Sequence, residues 1–201
     1  MENILLFLSG VVVPLLVVFI NKRLELKRLR KNDKLESEIK VCNVVNTKLD
    51  SLREEFNADR VWVMQFHNGG HYYPTGKSIQ KFSMFYESVE PGCESIKLLF
   101  QNIPVSLFSP SANKILTDNV IAVPDFKDDQ MPTYGLKYTA QETGSKSTYI
   151  FGIRDINNKL IGMLGVDFTK RKKHLDQDDI QTLELEAAQI GGVLHTHLSE
   201  K

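Results

Sequence analysis

Thiols are scarce in this chain: Cys42 and Cys93 are its two cysteines, far apart and outside any Cys-x-x-Cys pair. That excludes a disulfide framework and a thiolate zinc site, and it suits a reducing compartment. Gly-x-Gly-x-x-Gly and Walker-type loops are missing too, which removes the usual nucleotide enzymes. So is an excess of charge of either sign, since 25 Lys and Arg balance 25 Asp and Glu. Residues 41–201 carry 17 basic against 20 acidic groups, so the bulk of the chain is no electrostatic trap for nucleic acid, and none is expected as a partner. No Ser-His-Asp ordering stands out, and Asp125, Asp128, Asp129 and Asp167 are scattered as acids on a solvated surface are. Enzyme activity is therefore not expected, and no catalytic or metal-ligating residue is nominated.

What is present begins with an uncharged apolar run from Ile4 to Ile20, 17 residues long and flanked by Lys22, Arg23, Lys27, Arg28, Arg30 and Lys31. That length is at the short end of the roughly 17–25 residues a helix needs to cross a bilayer. Glu2 before the run and basic residues after it fit an uncleaved anchor better than a signal peptide, and a buried core helix would show a polar face. The basic flank predicts a single-pass protein with its N-terminus outside and its C-terminal domain in the cytoplasm. Residues 21–40, with eight basic and four acidic groups, read as a juxtamembrane patch drawn to anionic lipid. The expected organisation is an anchor over 1–21 in contact with lipid through 4–20, a basic helix over 22–40, and one folded domain over 41–201.

Lys22 to Phe56 contains no Pro or Gly, and Leu35, Ile39, Cys42, Val45, Leu49, Leu52 and Phe56 recur at helical steps. Arg60 to His67 reads as a largely buried strand that stops at Asn68-Gly69-Gly70. Ser78 to Val89 reads as a second strand, with Phe82, Met84 and Tyr86 on one face and Ser83, Phe85 and Glu87 on the other. Glu94 to Ile103 predicts a short helix, Pro104 to Pro110 an interrupted stretch, and Val120 to Val123 a short strand. Asp125 to Ser147 is polar loop with one short helix. Thr148 to Asp155 and Lys159 to Phe168 form an antiparallel hairpin across Ile156-Asn157-Asn158. Asp176 caps a last helix bearing Ile180, Leu183, Ala187, Ile190 and Leu194, which Gly191-Gly192 weakens locally.

This order of parts resembles a GAF domain over roughly residues 40–198, best matched by "K-L-I-G-M-L-G-V" from Lys159 and "L-D-Q-D-D-I-Q-T-L" from Leu175. The resemblance implies an α+β fold: a central antiparallel sheet with the N- and C-terminal helices on one face, and short helices and loops forming a pocket on the other. The apolar stripes of the terminal helices predict a parallel homodimer. Rings at Phe66, Tyr72, Tyr73, Phe85, Tyr86, Phe108, Tyr134, Tyr138 and Tyr149 suit the wall of a small planar ligand, though Phe66 and Phe85 also read as plain core. His67-Asn68-Gly69-Gly70-His71 serves either as a structural turn or as the polar wall of that pocket. The candidate ligand-binding residues are His67, Asn68, Gly69, Gly70, His71, Tyr73, Tyr86, Asp125, Tyr134 and Tyr149. The cyclic-nucleotide signature of the family is absent, Cys93 precedes Glu rather than the His common at bilin attachment sites, and thiols are too few for sulfoxide reduction. No cofactor is named. The expected function is a membrane-anchored sensory or regulatory module for a small molecule or a partner protein; the alternative is a ligand-free interaction module tethered to the membrane.

Overall fold

The computed structural model describes residues 13–199. The chain divides into two compact units, Met1–Lys40 and Val41–Lys201. The predicted anchor over residues 4–20 lies partly outside the described residues. Among the described ones, no helix is long and apolar enough to cross a membrane.

The elements run in the order α1 (Val13–Glu55), β1 (Arg60–His71), β2 (Ser78–Val89), β3 (Ile103–Pro104), a 3-10 turn (Val105–Phe108), α2 (Ser109–Asp118), β4 (Val120–Val123), α3 (Lys137–Thr143), β5 (Ser147–Arg154), β6 (Leu160–Phe168) and α4 (Gln177–Ser199). The strands form one six-stranded sheet in the order β3-β2-β1-β6-β5-β4, and every neighbouring pair is antiparallel. The period-2 alternation sorts its side chains into two cores. Val61, Val63, Tyr149, Phe151, Ile153, Leu164, Val166 and Phe168 pack under Val45, Leu49 and Leu52 of α1 and Leu183, Ala187, Ile190 and Leu194 of α4. On the opposite face Trp62, Met64, Phe82, Met84, Ile121, Val123, Ile150 and Met163 pack under Ile115 of α2, Ala140 of α3 and the loop residues Ile96, Phe126 and Leu136. The predicted α+β layering of terminal helices on one face and short elements on the other is what the domain shows.

Asp176 and Asp179 cap α4 reciprocally: the Asp179 N–H donates to Asp176 Oδ1 at 2.8 Å and the Asp176 N–H to Asp179 Oδ2 at 3.3 Å. Gly191 is more than a weak spot in that helix. A Cβ there would stand 2.2 Å from the Arg154 carbonyl oxygen, so the bare glycine is what lets α4 lie directly on β5.

Four local expectations are corrected. Strand β1 does not stop at Asn68 but continues to His71, paired with Ser78 of β2. Tyr86 does not share a face with Phe82 and Met84. The register passes from Val63↔Tyr86 to Met64↔Met84, so Phe85 is a bulged extra residue that turns Tyr86 over to the helix-covered core. Glu94–Ile103 is not a helix, because its amides bond elsewhere: Ile96 N–H to Glu87 Oε1 at 2.9 Å, and Asn102 N–H to Ser83 Oγ at 2.8 Å. The Phe100 carbonyl, which a helix would use internally, accepts from the Met84 N–H at 2.8 Å. Finally, the stretch after Pro104 holds a real helix, α2. Pro110 lies in its first turn, where a missing N–H costs nothing, and Asn119 ends it in the left-handed region at φ 66°.

Candidate functional site

The cavity-facing side of the sheet carries a buried charge of each sign, Arg60 at the start of β1 and Asp167 near the end of β6. They are register partners. Both are buried, and Arg60 Nε lies 3.1 Å from Asp167 Oδ2. The same oxygen accepts from Trp62 Nε1 at 3.0 Å, and Oδ1 accepts from Thr148 Oγ1 at 2.9 Å. The rest of the guanidinium donates to the Glu94 carbonyl at 2.9 Å, to Ser145 Oγ at 3.3 Å and to the Thr143 carbonyl at 3.4 Å. A buried ion pair persists only with such added hydrogen bonds, and this one ties β1, β5 and β6 to the end of α3 and to the loop after β2. Gly165, opposite Trp62 in the register, makes room for the indole: a Cβ there would fall 2.0 Å from the ring.

Directly above this cluster is a cavity of about 70 Å³. Its floor is Trp62, Met64 and Phe66 of β1, Phe82 of β2, Ile150 of β5 and Met163 of β6. Phe100, Phe108, Ala112, Phe126, Leu136 and Ala140 form its roof, and Thr148, Ser145, Thr143 and Asp167 close one end. The aromatic rings meet edge to face, with Phe82 to Phe108 at 5.6 Å and Phe66 to Phe82 at 6.4 Å between centroids. The arrangement is an apolar chamber with one polar, hydrogen-bonding wall, suited to orienting a small ligand.

None of the ten candidate residues lines this cavity. His67 and Asn68 face a separate groove beside Gln80 and Phe85, where His67 Nε2 lies 2.8 Å from Ser83 Oγ and Asn68 Oδ1 accepts from Gln80 at 2.8 Å. Gly69, Gly70 and His71 continue β1, and Tyr73 is 98% exposed in the β1–β2 connection. Tyr86 and Tyr149 face the helix-covered core; the Tyr149 hydroxyl accepts from the Leu175 N–H and donates to the Lys173 carbonyl, both at 3.0 Å. Burial pushes that phenol above its usual range. Asp125 pairs with Lys172, which with the Lys127 N–H holds its carboxyl below the usual range. Tyr134 packs on the cavity-side core with Lys114 Nζ 5.4 Å from its ring centroid. Of the rings named from sequence, Phe66 and Phe108 do reach the cavity.

The residues that sequence reasoning missed are Arg60, Trp62, Thr148 and Asp167. The signal available was a charge at the end of each of two apolar strands, where a buried ion needs a partner. Neither Cys42 nor Cys93 lines the cavity. Among the described residues, no group of three or more His, Cys, Asp or Glu stands close enough to hold a metal ion.

A sheet of this order, clothed by terminal helices on one side and roofed over a small chamber on the other, defines an α+β domain with a core on each face of the sheet. The family model described as GAF domain matches residues 43–194, and the chain belongs to the GAF domain family. No curated protein matches the chain. Among solved structures it is similar to the photoproduct state of GAF3 from Slr1393 of Synechocystis sp. PCC6803, at 20% identity and TM-score 0.62, covering 79% of this chain and 95% of that one. It is also similar to the blue-light absorbing form of the Thermosynechococcus elongatus PixJ GAF domain, at 16% identity and TM-score 0.63, covering 81% and 89%. A third is the phycocyanobilin-bound GAF domain from a cyanobacterial phytochrome, at 18% identity and TM-score 0.62, covering 85% and 93%. At these identities the likeness establishes the fold.

Proposed function

We propose that this GAF domain is a sensory or regulatory module whose ligand is a small, mostly apolar molecule with one hydrogen-bonding group. The observation that carries this is the chamber of about 70 Å³ with Asp167 in its wall. Protein interiors are close-packed, so an apolar void of this kind forfeits contacts that an occupant restores. One water needs roughly 10–15 Å³ of such space, so in its present form the chamber accommodates a small occupant of a few heavy atoms. A single ring needs the roof of Phe108 and Phe126 to shift outward. A tetrapyrrole such as the phycocyanobilin of the phytochrome structure is far larger, and no cysteine stands in the wall to attach one. The module works by binding, without catalysis of its own.

The apolar run at Ile4–Ile20 supports placing the module beside a bilayer, the N-terminus outside and the domain in the cytoplasm. Leu15, Leu16, Val17, Val18, Phe19 and Ile20 are all exposed, so no described protein surface covers them. Leu35, Ile39 and Val44 of α1 and Leu185 of α4 are exposed as well, which supports pairing of two copies through these helices.

The test is a thermal-shift screen of small aromatic and heteroaromatic compounds, joined to native mass spectrometry of the purified chain. A ligand at 100 times its Kd adds about 2.7 kcal/mol to stability. Ala140→Leu, which projects three extra carbons into the chamber, is expected to abolish the shift while the protein still folds. If an exhaustive panel stabilises nothing and no bound mass is found, the ligand-free interaction module replaces this proposal. Recovery of the intact chain in the soluble fraction without detergent would overturn the membrane placement.

A further inference from the structure

Beside the cavity lies a second concavity of about 610 Å³, separated from it by Phe126, Ala140 and Ser145, which wall both. Five cations line it: Lys127 from the loop after β4, Lys137 from α3, Lys146 before β5, and Arg171 and Lys172 after β6. Asp125 is the one carboxylate in the lining. Asp129, just outside, pairs with Lys137. This concentration sits on a domain with more acidic than basic groups, and it is assembled from four separate stretches of chain. The run Lys170 to Lys173 is divided between two tasks. Lys170 is held by Asp59 and Glu90, and Lys173 donates to the Phe56 carbonyl at 2.5 Å. Arg171 and Lys172 are the two left to face the groove, and Arg171 is exposed with no hydrogen bond or ion pair among the described residues.

The geometry points to a binding site for a soluble small molecule carrying two or more phosphate groups. A lining of five cations and one carboxylate leaves a surplus of about four positive charges, or three once Asp129 is counted, which matches a di- or triphosphate. The volume lies in the range of roughly 300–1,000 Å³ typical of small-molecule sites, and a concave floor fits a discrete molecule better than a planar lipid surface. The unengaged guanidinium supplies the planar fork that grips phosphate oxygens two at a time. The apolar ligand of the cavity is a separate matter, and either site can fail without the other.

Isothermal titration of the purified full chain with inorganic triphosphate is the experiment, run at 50 and 200 mM salt as about the two ends of the useful range. One saturable site is expected, weaker at the higher salt. Arg171→Gln and Lys146→Gln are each expected to weaken it about tenfold or more, as loss of a charge-assisted contact does. Arg171→Lys is expected to fall between, because it keeps the charge and loses the fork. All these side chains are exposed, so thermal unfolding should not move. Lys77→Gln, on the β1–β2 connection, is the control and should bind as the parent does. Absence of saturable binding, or equal weakening by Lys77→Gln, would overturn the site. So would Arg171-dependent binding of short-chain phosphatidylserine without binding of triphosphate, which would reassign the groove to lipid headgroups.

Discussion

Replacing Asp167 with Ala strikes the post on which the cavity end is built. Arg60 is fully buried, so the substitution leaves a guanidinium without its counter-charge inside the domain. Breaking a buried pair in this way costs about 3–5 kcal/mol. Trp62 Nε1 and Thr148 Oγ1 also lose their acceptor, at about 1–3 kcal/mol each if left dry, although the adjoining cavity can admit a water that softens this. A net loss of about 4 kcal/mol is expected, which is a large share of the roughly 5–15 kcal/mol that holds a typical domain together. At about 2–4 °C per kcal/mol for this size, Tm should fall by about 8–16 °C. The double variant Arg60→Met/Asp167→Leu removes both ions, and apolar replacement of a buried pair is often neutral. It should cost at least about 2 kcal/mol less than the two single changes added together. Urea unfolding followed by the fluorescence of Trp62, the one tryptophan and 5% exposed, reads the parent and all four variants with a single probe. A loss below about 1 kcal/mol for Asp167→Ala, or strict additivity of the pair, would refute the coupling inferred from the geometry.

Gly165→Ala pushes a methyl into the Trp62 ring, so a loss of about 1–3 kcal/mol and a shifted tryptophan emission are expected in the same urea titration. Tyr149→Phe strands the Leu175 N–H and the Lys173 carbonyl at the start of α4; it should cost about 1–3 kcal/mol without changing ligand affinity at the cavity, since Tyr149 lies on the other side of the sheet. Asp59 gives an acid dependence. Burial pushes its carboxyl up, but the N–H groups of Lys170 and Thr169 and the Lys170 ammonium outweigh that and hold it below the usual range. Its stabilisation is therefore complete above the unfolded value of about 3.9 and is lost as pH falls through the lower folded value. Unfolding midpoints measured from pH 6 down to about pH 2 should show a shallower acid limb for Asp59→Asn than for the parent.

Much of the architecture was legible because it is periodic. The stripe Val45, Leu49, Leu52 and its counterpart Leu183, Ala187, Ile190, Leu194 announce two helices sharing one apolar partner, and they do share one. The β5–β6 hairpin and the Asp176 cap were readable from neighbours two to four residues apart. Errors arose where distant groups competed for the backbone. Glu87 and Ser83 take the amides that a helix over Glu94–Ile103 would have used, and nothing within that segment reports it. One bulged residue, Phe85, inverts the facing of Tyr86, and with it the assignment of that ring to a pocket.

The candidate site was less legible than the fold. Histidines, glycines and tyrosines attract notice in a sequence as versatile groups, yet here they fall on the hairpin, the outer groove and the helix-covered core, with Tyr134 packed on the cavity-side core outside the cavity lining. The cavity is walled instead by apolar rings and by Asp167, whose ion-pair partner Arg60 lies 107 residues away in the chain. The linear order of residues by itself determined the two terminal helices with their apolar faces, most of the strands and the family resemblance, because hydrophobic periodicity and capping act over a few residues. Only the tertiary structure decided which charges meet, where a bulge flips a side chain and which five cations share a groove, because those depend on distances that chain separation does not encode.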